Sequence, residues 1–145
     1  MYRLEAAVVE IKVRYEGGLR CEVHHGPSGT RHATDAPVDN QGKGETFSPT
    51  DLVATALGTC MLTTMGILAK RKGWNIDGID LTVHKHMTTQ PPRRIARLPV
   101  RMVVPGTISS ALDASARAEL EAAARTCPVA LSLHPDIALD IEIGW

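Results

Sequence analysis

The eighteen residues from Leu52 to Ala69, LVATALGTCMLTTMGILA, carry no charge, and their reading decides the fold. The run approaches the ~20 apolar residues that a membrane span needs. Four Thr and two Gly interrupt it, however, and amphipathic strand patterns flank it on both sides. It therefore reads as a helix buried all round, with no membrane as partner. Ser48 can cap it, Pro49 suits the first helical position, and Asp51 complements the positive end. Lys70-Arg71-Lys72 and Gly73 close it with C-terminal cations and a C-cap. One small chain can hardly cover every face of a roughly six-turn helix. A second copy supplying the missing cover is the economical answer, so a homodimer is expected.

Upstream, Val8 to Tyr15 alternates with the period of a half-buried strand, Val9, Ile11, Val13 and Tyr15 sharing one face. Gly17-Gly18 turns the chain into a second alternating stretch, Leu19 to His25, which predicts a β-hairpin. After Gly26-Pro27-Ser28-Gly29, the segment TRHAT predicts a short third strand. From Asp35 to Ser48 the chain is rich in Pro, Gly and Asp. A loop of this length inside a compact domain is usually functional or held by a partner.

Downstream, Ile79, Leu81 and Val83 alternate with polar residues, and Thr88 to Pro92 breaks the pattern. Arg97 to Val104 predicts another strand, with Pro99 marking an edge or a bulge. Ser109-Ser110 or Asp113 can cap a helix through ASARAELEAAAR, with Leu112, Ala116 and Leu120 on one face. Cys127-Pro128 interrupts it, VALSLHP predicts a short helix, and Ile137 to Ile143 a final alternating strand. The expected order is β-β-β-α-β-β-α-α-β. Hairpins and helices in separate blocks predict an α+β fold, and 145 residues without repeats or a linker predict one domain, 1–145.

Composition narrows function. Sixteen basic residues balance sixteen acidic ones, and aromatics make up only 3%. A nucleic-acid partner would call for a basic face and rings to stack on bases, so none is expected. The first seventeen residues carry charges every few positions and no apolar core of a signal peptide. Three cysteines, Cys21, Cys60 and Cys127, are too few and too widely spaced for a secreted disulfide scaffold. The expected compartment is a reducing cytoplasm, where thiols are small buried hydrophobes or reagents.

Cys60 lies midway along the uncharged helix. Cys127 precedes Pro128, which suits the first position of a new helix and makes Cys127 its cap. Amide N–H groups and the positive helix end there lower a thiol pKa, a known route to a reactive thiolate. Cys60 has no such help in its own helix, and apolar burial alone would raise its pKa. A cation must reach it from elsewhere in the fold or from a second copy if it is to act as a nucleophile. Otherwise both residues are packing. Cys21, between Leu19 and Val23, reads as structural.

Three stretches carry a family resemblance: Ser48-Pro49-Thr50-Asp51-Leu52, Ala56-Leu57-Gly58-Thr59-Cys60, and Arg125-Thr126-Cys127-Pro128-Val129 with Leu131 and Leu133. Together they resemble the OsmC/Ohr family of osmotically induced protein C and organic hydroperoxide resistance proteins, over essentially the full chain. The resemblance implies an intertwined α+β homodimer around two long central helices, with an active site at each interface. It implies thiol-dependent reduction of hydroperoxides without a cofactor or metal. Cys60 would attack the O–O bond and become a sulfenic acid, and Cys127 would resolve it as a disulfide. An external dithiol, lipoyl-type in the best-known branch, would then reduce that disulfide.

In the peroxidase branches of that family a Glu directly after the helix-opening Pro holds an Arg against the reactive sulfur. Here that position is Thr50, and the acid falls one residue later as Asp51, as it does in less characterised branches. One residue rotates a side chain by about 100° around a helix. Asp51 thus serves either another orientation or simple dipole complementation, with Glu45 a weak substitute. Arg20 and Arg31 are the candidate activating cations, reachable from a partner chain; otherwise they are solvated strand residues. Two other readings stand beside the peroxidase. One is a relative whose Cys60 reacts with some other electrophile or thiol, and the other is a protein binding a small apolar ligand at the dimer interface.

The remaining polar features read as solvated. His84 and His86 are expected to share a strand face, but neither they nor His24-His25 have a carboxylate or thiol at a closing spacing, so no metal is expected. Arg93-Arg94, Arg97 and Arg101 form a modest basic run beside Pro91-Pro92. No glycine-rich phosphate loop follows a strand.

Overall fold

The computed structural model describes residues 7–145, so the first six residues of the stretch tested for a signal peptide lie outside the described residues. The fold is α+β. Two compact units divide the chain, one reaching to Leu52 and the other running from Val53 to Trp145.

The first unit is built on a three-stranded antiparallel sheet of β1 (Ile11–Gly17), β2 (Arg20–His25) and β3 (Arg31–Asp35), in that order. The hairpin turn is Gly18 and Leu19, at φ +60° and +62°, following Gly17 at +88°; the two glycines adopt these left-handed values without the Cβ penalty that Leu19 bears. Register sets Tyr15 opposite Cys21, and on β3 it sets Thr34 opposite Cys21 and Asp35 opposite Arg20. The expected half-burial of β1 does not hold. Ile11, Val13 and Tyr15 stand exposed along with their polar neighbours. Beyond β3 the long loop is tied back: Asp35 N–H donates to Phe47 C=O and Ala36 N–H to Leu19 C=O. A 3-10 turn at Val38–Asn40 is its only regular element.

The helix α1 (Pro49–Lys72) starts on a reciprocal capping box. The Asp51 N–H donates to Ser48 Oγ at 3.1 Å, and the Ser48 N–H donates to Asp51 Oδ2 at 2.8 Å. At the far end Gly73, at φ +73°, closes a Schellman motif, with Trp74 N–H donating to Ala69 C=O and Gly73 N–H to Lys70 C=O. By length and composition α1 could cross a membrane. In the chain, Ala54, Leu57, Gly58, Met61, Met65 and Ala69 are buried. It is not buried all round, however. Thr55, Thr59, Thr63 and Ile67, four residues apart, form an exposed stripe. A single layer of strands can cover only one side of a helix.

In the second unit, β4 (Asp80–Val83) pairs antiparallel with β7 (Val100–Val103), and β7 pairs parallel with β8 (Ile141–Gly144). Two shorter strands, β5 (His86–Met87) and β6 (Ile95–Arg97), pair separately. Four strands thus stand where the pattern predicted two. The break at Thr88–Pro92 folds the chain back on itself, and Pro99, lacking an N–H, parts β6 from β7. Gly58 allows α1 to lie close on this sheet, since a Cβ there would meet Leu81 Cδ2 at 2.8 Å and Val83 Cγ2 at 3.1 Å.

A further short helix, α2 (Gly106–Ala111), precedes α3 (Ala114–Arg125), whose cap is Asp113, accepting from Ala116 N–H at 2.8 Å. Leu112, Ala116, Leu120 and Ala124 are buried. They join Leu57, Met61 and Met65 of α1 and Leu98, Val100 and Met102 of the β6–β7 segment in one core. Each large aliphatic side chain there contributes about 1.5–3 kcal/mol on burial. The final strand begins at Ile141 rather than Ile137, although Ile137, Leu139, Ile141 and Ile143 keep the expected alternation of burial. The short helix α4 (Pro128–Ser132) carries Pro128 at its first position and Cys127 as its cap.

Candidate active site

The second unit brings two thiols together. Cys60, on α1, is half-buried, whereas Cys127 is completely buried, and both are free. The Cys127 sulfur accepts the Ala130 N–H at 3.4 Å, as a helix cap should. Cys60 is near enough to act on the Cys127 proton, so residues 67 positions apart in sequence are neighbours in the fold. Burial pushes the Cys127 thiol above its ordinary value, and the neighbouring Cys60 adds to the rise. The Ala130 and Val129 amides pull the other way and lose. The cap alone would make Cys127 acidic, but desolvation of the thiolate outweighs two amide dipoles in a five-residue helix. Cys127 is therefore held as a protonated thiol beside a more accessible sulfur.

In the first unit Arg20 is the organised cation. Its Nε donates to Asp35 Oδ1 at 2.7 Å, and its Nη2 donates to Asp35 Oδ2 at 2.8 Å and to Glu45 Oε2 at 2.7 Å. The Asp35 side chain is 2% exposed. It also accepts the Glu45 N–H at 3.0 Å, which fixes the loop over the pair. Arg20 holds the Asp35 carboxyl below the usual aspartate range, with the Glu45 amide assisting. Arg31 differs. It pairs with Glu22 at 2.8 Å, its side chain 61% exposed, and such a pair contributes little.

Of the acidic candidates, Asp51 has a carboxylate oxygen on the Ser48 amide in the capping box, and Glu45 sits on Arg20. Asp35, which the sequence marked only as the start of a loop, proves to be the principal partner of Arg20. The clue was the hairpin register, because an acid on β3 faces Arg20 directly across the sheet. Cys21, the third thiol, is half-buried on β2.

Elsewhere, His84 and His86 are exposed, and they do not share a strand, since β4 ends at Val83. Among the described residues no three His, Cys, Asp or Glu side chains converge as metal ligands. In the basic run, Arg97 pairs with Asp140 at 2.7 Å on the surface. Arg94 and Arg97 border an open groove of about 530 Å³ with His86, Met87 and Thr88.

The chain is thus an α+β protein with a long apolar helix, a thiol at its middle and a second thiol capping a later short helix. The chain belongs to the OsmC-like protein family, whose model matches residues 42–142. No curated protein matches it. Among solved structures it is similar to a protein from Psychrobacter arcticus assigned provisionally to osmotic stress induction and detoxification response. That similarity has 41% identity, covers 97% of this chain and 99% of the other, and reaches a TM-score of 0.86. The fold also matches an organic hydroperoxide resistance protein OsmC from Legionella pneumophila, at 15% identity and a TM-score of 0.74, covering 96% and 98% of the two chains. A third match, from Vibrio cholerae, is an organic hydroperoxide resistance protein, also provisionally so described, with captopril in one active site. It shares 12% identity and a TM-score of 0.71, with 97% and 95% coverage.

Proposed function

We propose that the protein is a homodimeric, thiol-dependent peroxidase that reduces organic hydroperoxides in a reducing cytoplasm. The observation that carries this reading is the proximity of the half-buried Cys60 to the buried, protonated Cys127. The Cys60 thiolate attacks the terminal oxygen of ROOH. An S–O bond forms, the O–O bond breaks, and the departing alkoxide takes a proton from solvent to leave as ROH. The sulfur, oxidised by two electrons, is now a sulfenic acid. Cys127 attacks that sulfur, forming the disulfide, and the hydroxyl departs with the Cys127 proton as water. A dithiol reductant restores both thiols by exchange and is itself oxidised to a disulfide.

The cation that stabilises the Cys60 thiolate is, in this reading, Arg20 of a second copy. Arg20 is favoured over Arg31 because a buried carboxylate pre-sets its guanidinium, and preorganised charge is what stabilises a developing anion. Assembly as a homodimer is supported by the exposed apolar positions of β1 and the uncovered stripe of α1.

The test follows cumene hydroperoxide consumption with a lipoyl-type dithiol in excess. Wild type should turn over many times, Cys60→Ser should be inert, and Cys127→Ser should stop at the sulfenic acid. A Cys60–Cys127 disulfide formed by one equivalent of peroxide without turnover would point instead to a thiol chemistry other than peroxidase. No thiol oxidation at all would leave a ligand-binding protein with packed cysteines.

A further inference from the structure

We infer that Asp35 is the positioning residue of the site, the carboxylate that sets the direction in which the Arg20 guanidinium points. The inference rests on the reading that Arg20 stabilises the Cys60 thiolate, and it assigns the orienting role to a residue outside the helix-opening segment. Two carboxylates bind Arg20, and they are not equivalent. Glu45 makes one contact from a side chain that is 58% exposed. Asp35 makes two parallel contacts from a buried position, and this fork-to-fork geometry fixes the guanidinium plane as well as its place. Asp51, the acid nearest the helix opening, has an oxygen on the Ser48 amide in the capping box. Asp35 and Glu45 take Nε and Nη2 of Arg20, and among the described residues nothing accepts from Nη1. That N–H edge remains for an anion, and its direction is set by the Asp35 pair. Backbone bonds from Asp35 itself and from the next residue, Asp35 N–H to Phe47 C=O and Ala36 N–H to Leu19 C=O, hold the segment that carries the carboxylate in place.

A positioning role and a merely structural ion pair predict opposite signs. Removing the Asp35 charge while Arg20 stays in place makes the surroundings more positive, which favours a thiolate and speeds its alkylation. Removing a positioning contact lets Arg20 swing away, which slows it. The experiment measures the pH–rate profile of Cys60 alkylation by iodoacetamide, alongside kcat/KM for cumene hydroperoxide, in folded variants. In Asp35→Asn we expect alkylation at pH 6 to slow by about tenfold or more, the scale of a misplaced catalytic contact, with kcat/KM falling in parallel. The same substitution on an Arg20→Gln background should add nothing, because Asp35 acts only through Arg20. Unchanged or faster alkylation in Asp35→Asn, with Arg20→Gln slowed, would overturn the role of Asp35 and leave Arg20 standing. An unchanged profile in Arg20→Gln would remove both. Should Asp35→Asn fail to fold, Asp35→Glu keeps the charge and displaces the guanidinium by one methylene. Slowed alkylation in that variant supports the role, and an unaltered profile overturns it.

Discussion

At Cys127 two effects act on one sulfur. Amide N–H groups at the start of α4 favour its thiolate, while complete burial and the adjoining Cys60 favour its thiol, and the second pair prevails. The sign has a direct consequence for reactivity. Alkylation needs a thiolate and an open approach, and Cys127 is short of both at neutral pH. We expect iodoacetamide at pH 7 to label Cys60 at least ~10-fold faster than Cys127, as read by peptide mass spectrometry after partial labelling. Equal labelling would mean that Cys127 is neither as buried nor as protonated as described. With rising pH the preference should narrow only above the ordinary thiol range, because the folded state holds the Cys127 proton more tightly than a free thiol does. Both cysteines were legible in the sequence, one from its place in the uncharged run and the other from the proline that follows it. Their relative acidity was not, because desolvation depends on what packs around a residue and not on its neighbours in the chain. Asp35 was hidden for a similar reason. Fifteen residues separate it from Arg20, and only the β2–β3 register sets them opposite one another.

Among the elements, α1 was the most legible, because its boundaries rest on local chemistry. Ser48 and Asp51 close the capping box, and Gly73 ends the helix in a left-handed residue. Ser48 is almost wholly buried, so losing its hydroxyl leaves amides that water reaches poorly. Ser48→Ala should therefore destabilise the fold by about 1–2 kcal/mol, at the upper end for a lost cap. Asp51→Ala should cost about 1 kcal/mol. Because each partner holds the other, the double substitution should cost clearly less than the two added together, measured by urea denaturation as a double-mutant cycle. Strict additivity would show that the two contacts act independently. The strands after α1 were less legible. Alternation located β4 and the β7 region, but the pairing of two-residue β5 with three-residue β6 is a tertiary event that no period-two pattern encodes.

For the whole molecule, the uncharged helix poses a question of cover that the sequence raised correctly and a single chain answers only on one side. Leu57, Met61 and Met65 are fully buried, while the stripe of Thr55, Thr59, Thr63 and Ile67 is open, Ile67 being 53% exposed. Apolar side chains of β1 are exposed as well. A stable interface buries about 1,200–2,000 Å² in total, more than one stripe of small side chains supplies, so both surfaces must take part if two copies associate. In the proposed dimer the Thr stripe meets its counterpart, since small side chains permit close helix approach. We expect wild type to sediment at twice the 15.6 kDa chain mass. Thr63→Arg places a charge in the middle of the stripe without disturbing the buried face of α1. It should yield a folded monomer at concentrations where wild type is dimeric, and peroxide turnover should be lost with the dimer if, as proposed, Arg20 comes from the other copy. A Thr63→Arg protein that remains dimeric would show that α1 is not at the interface. A folded, active monomer would show instead that one chain supplies both the thiols and their cation.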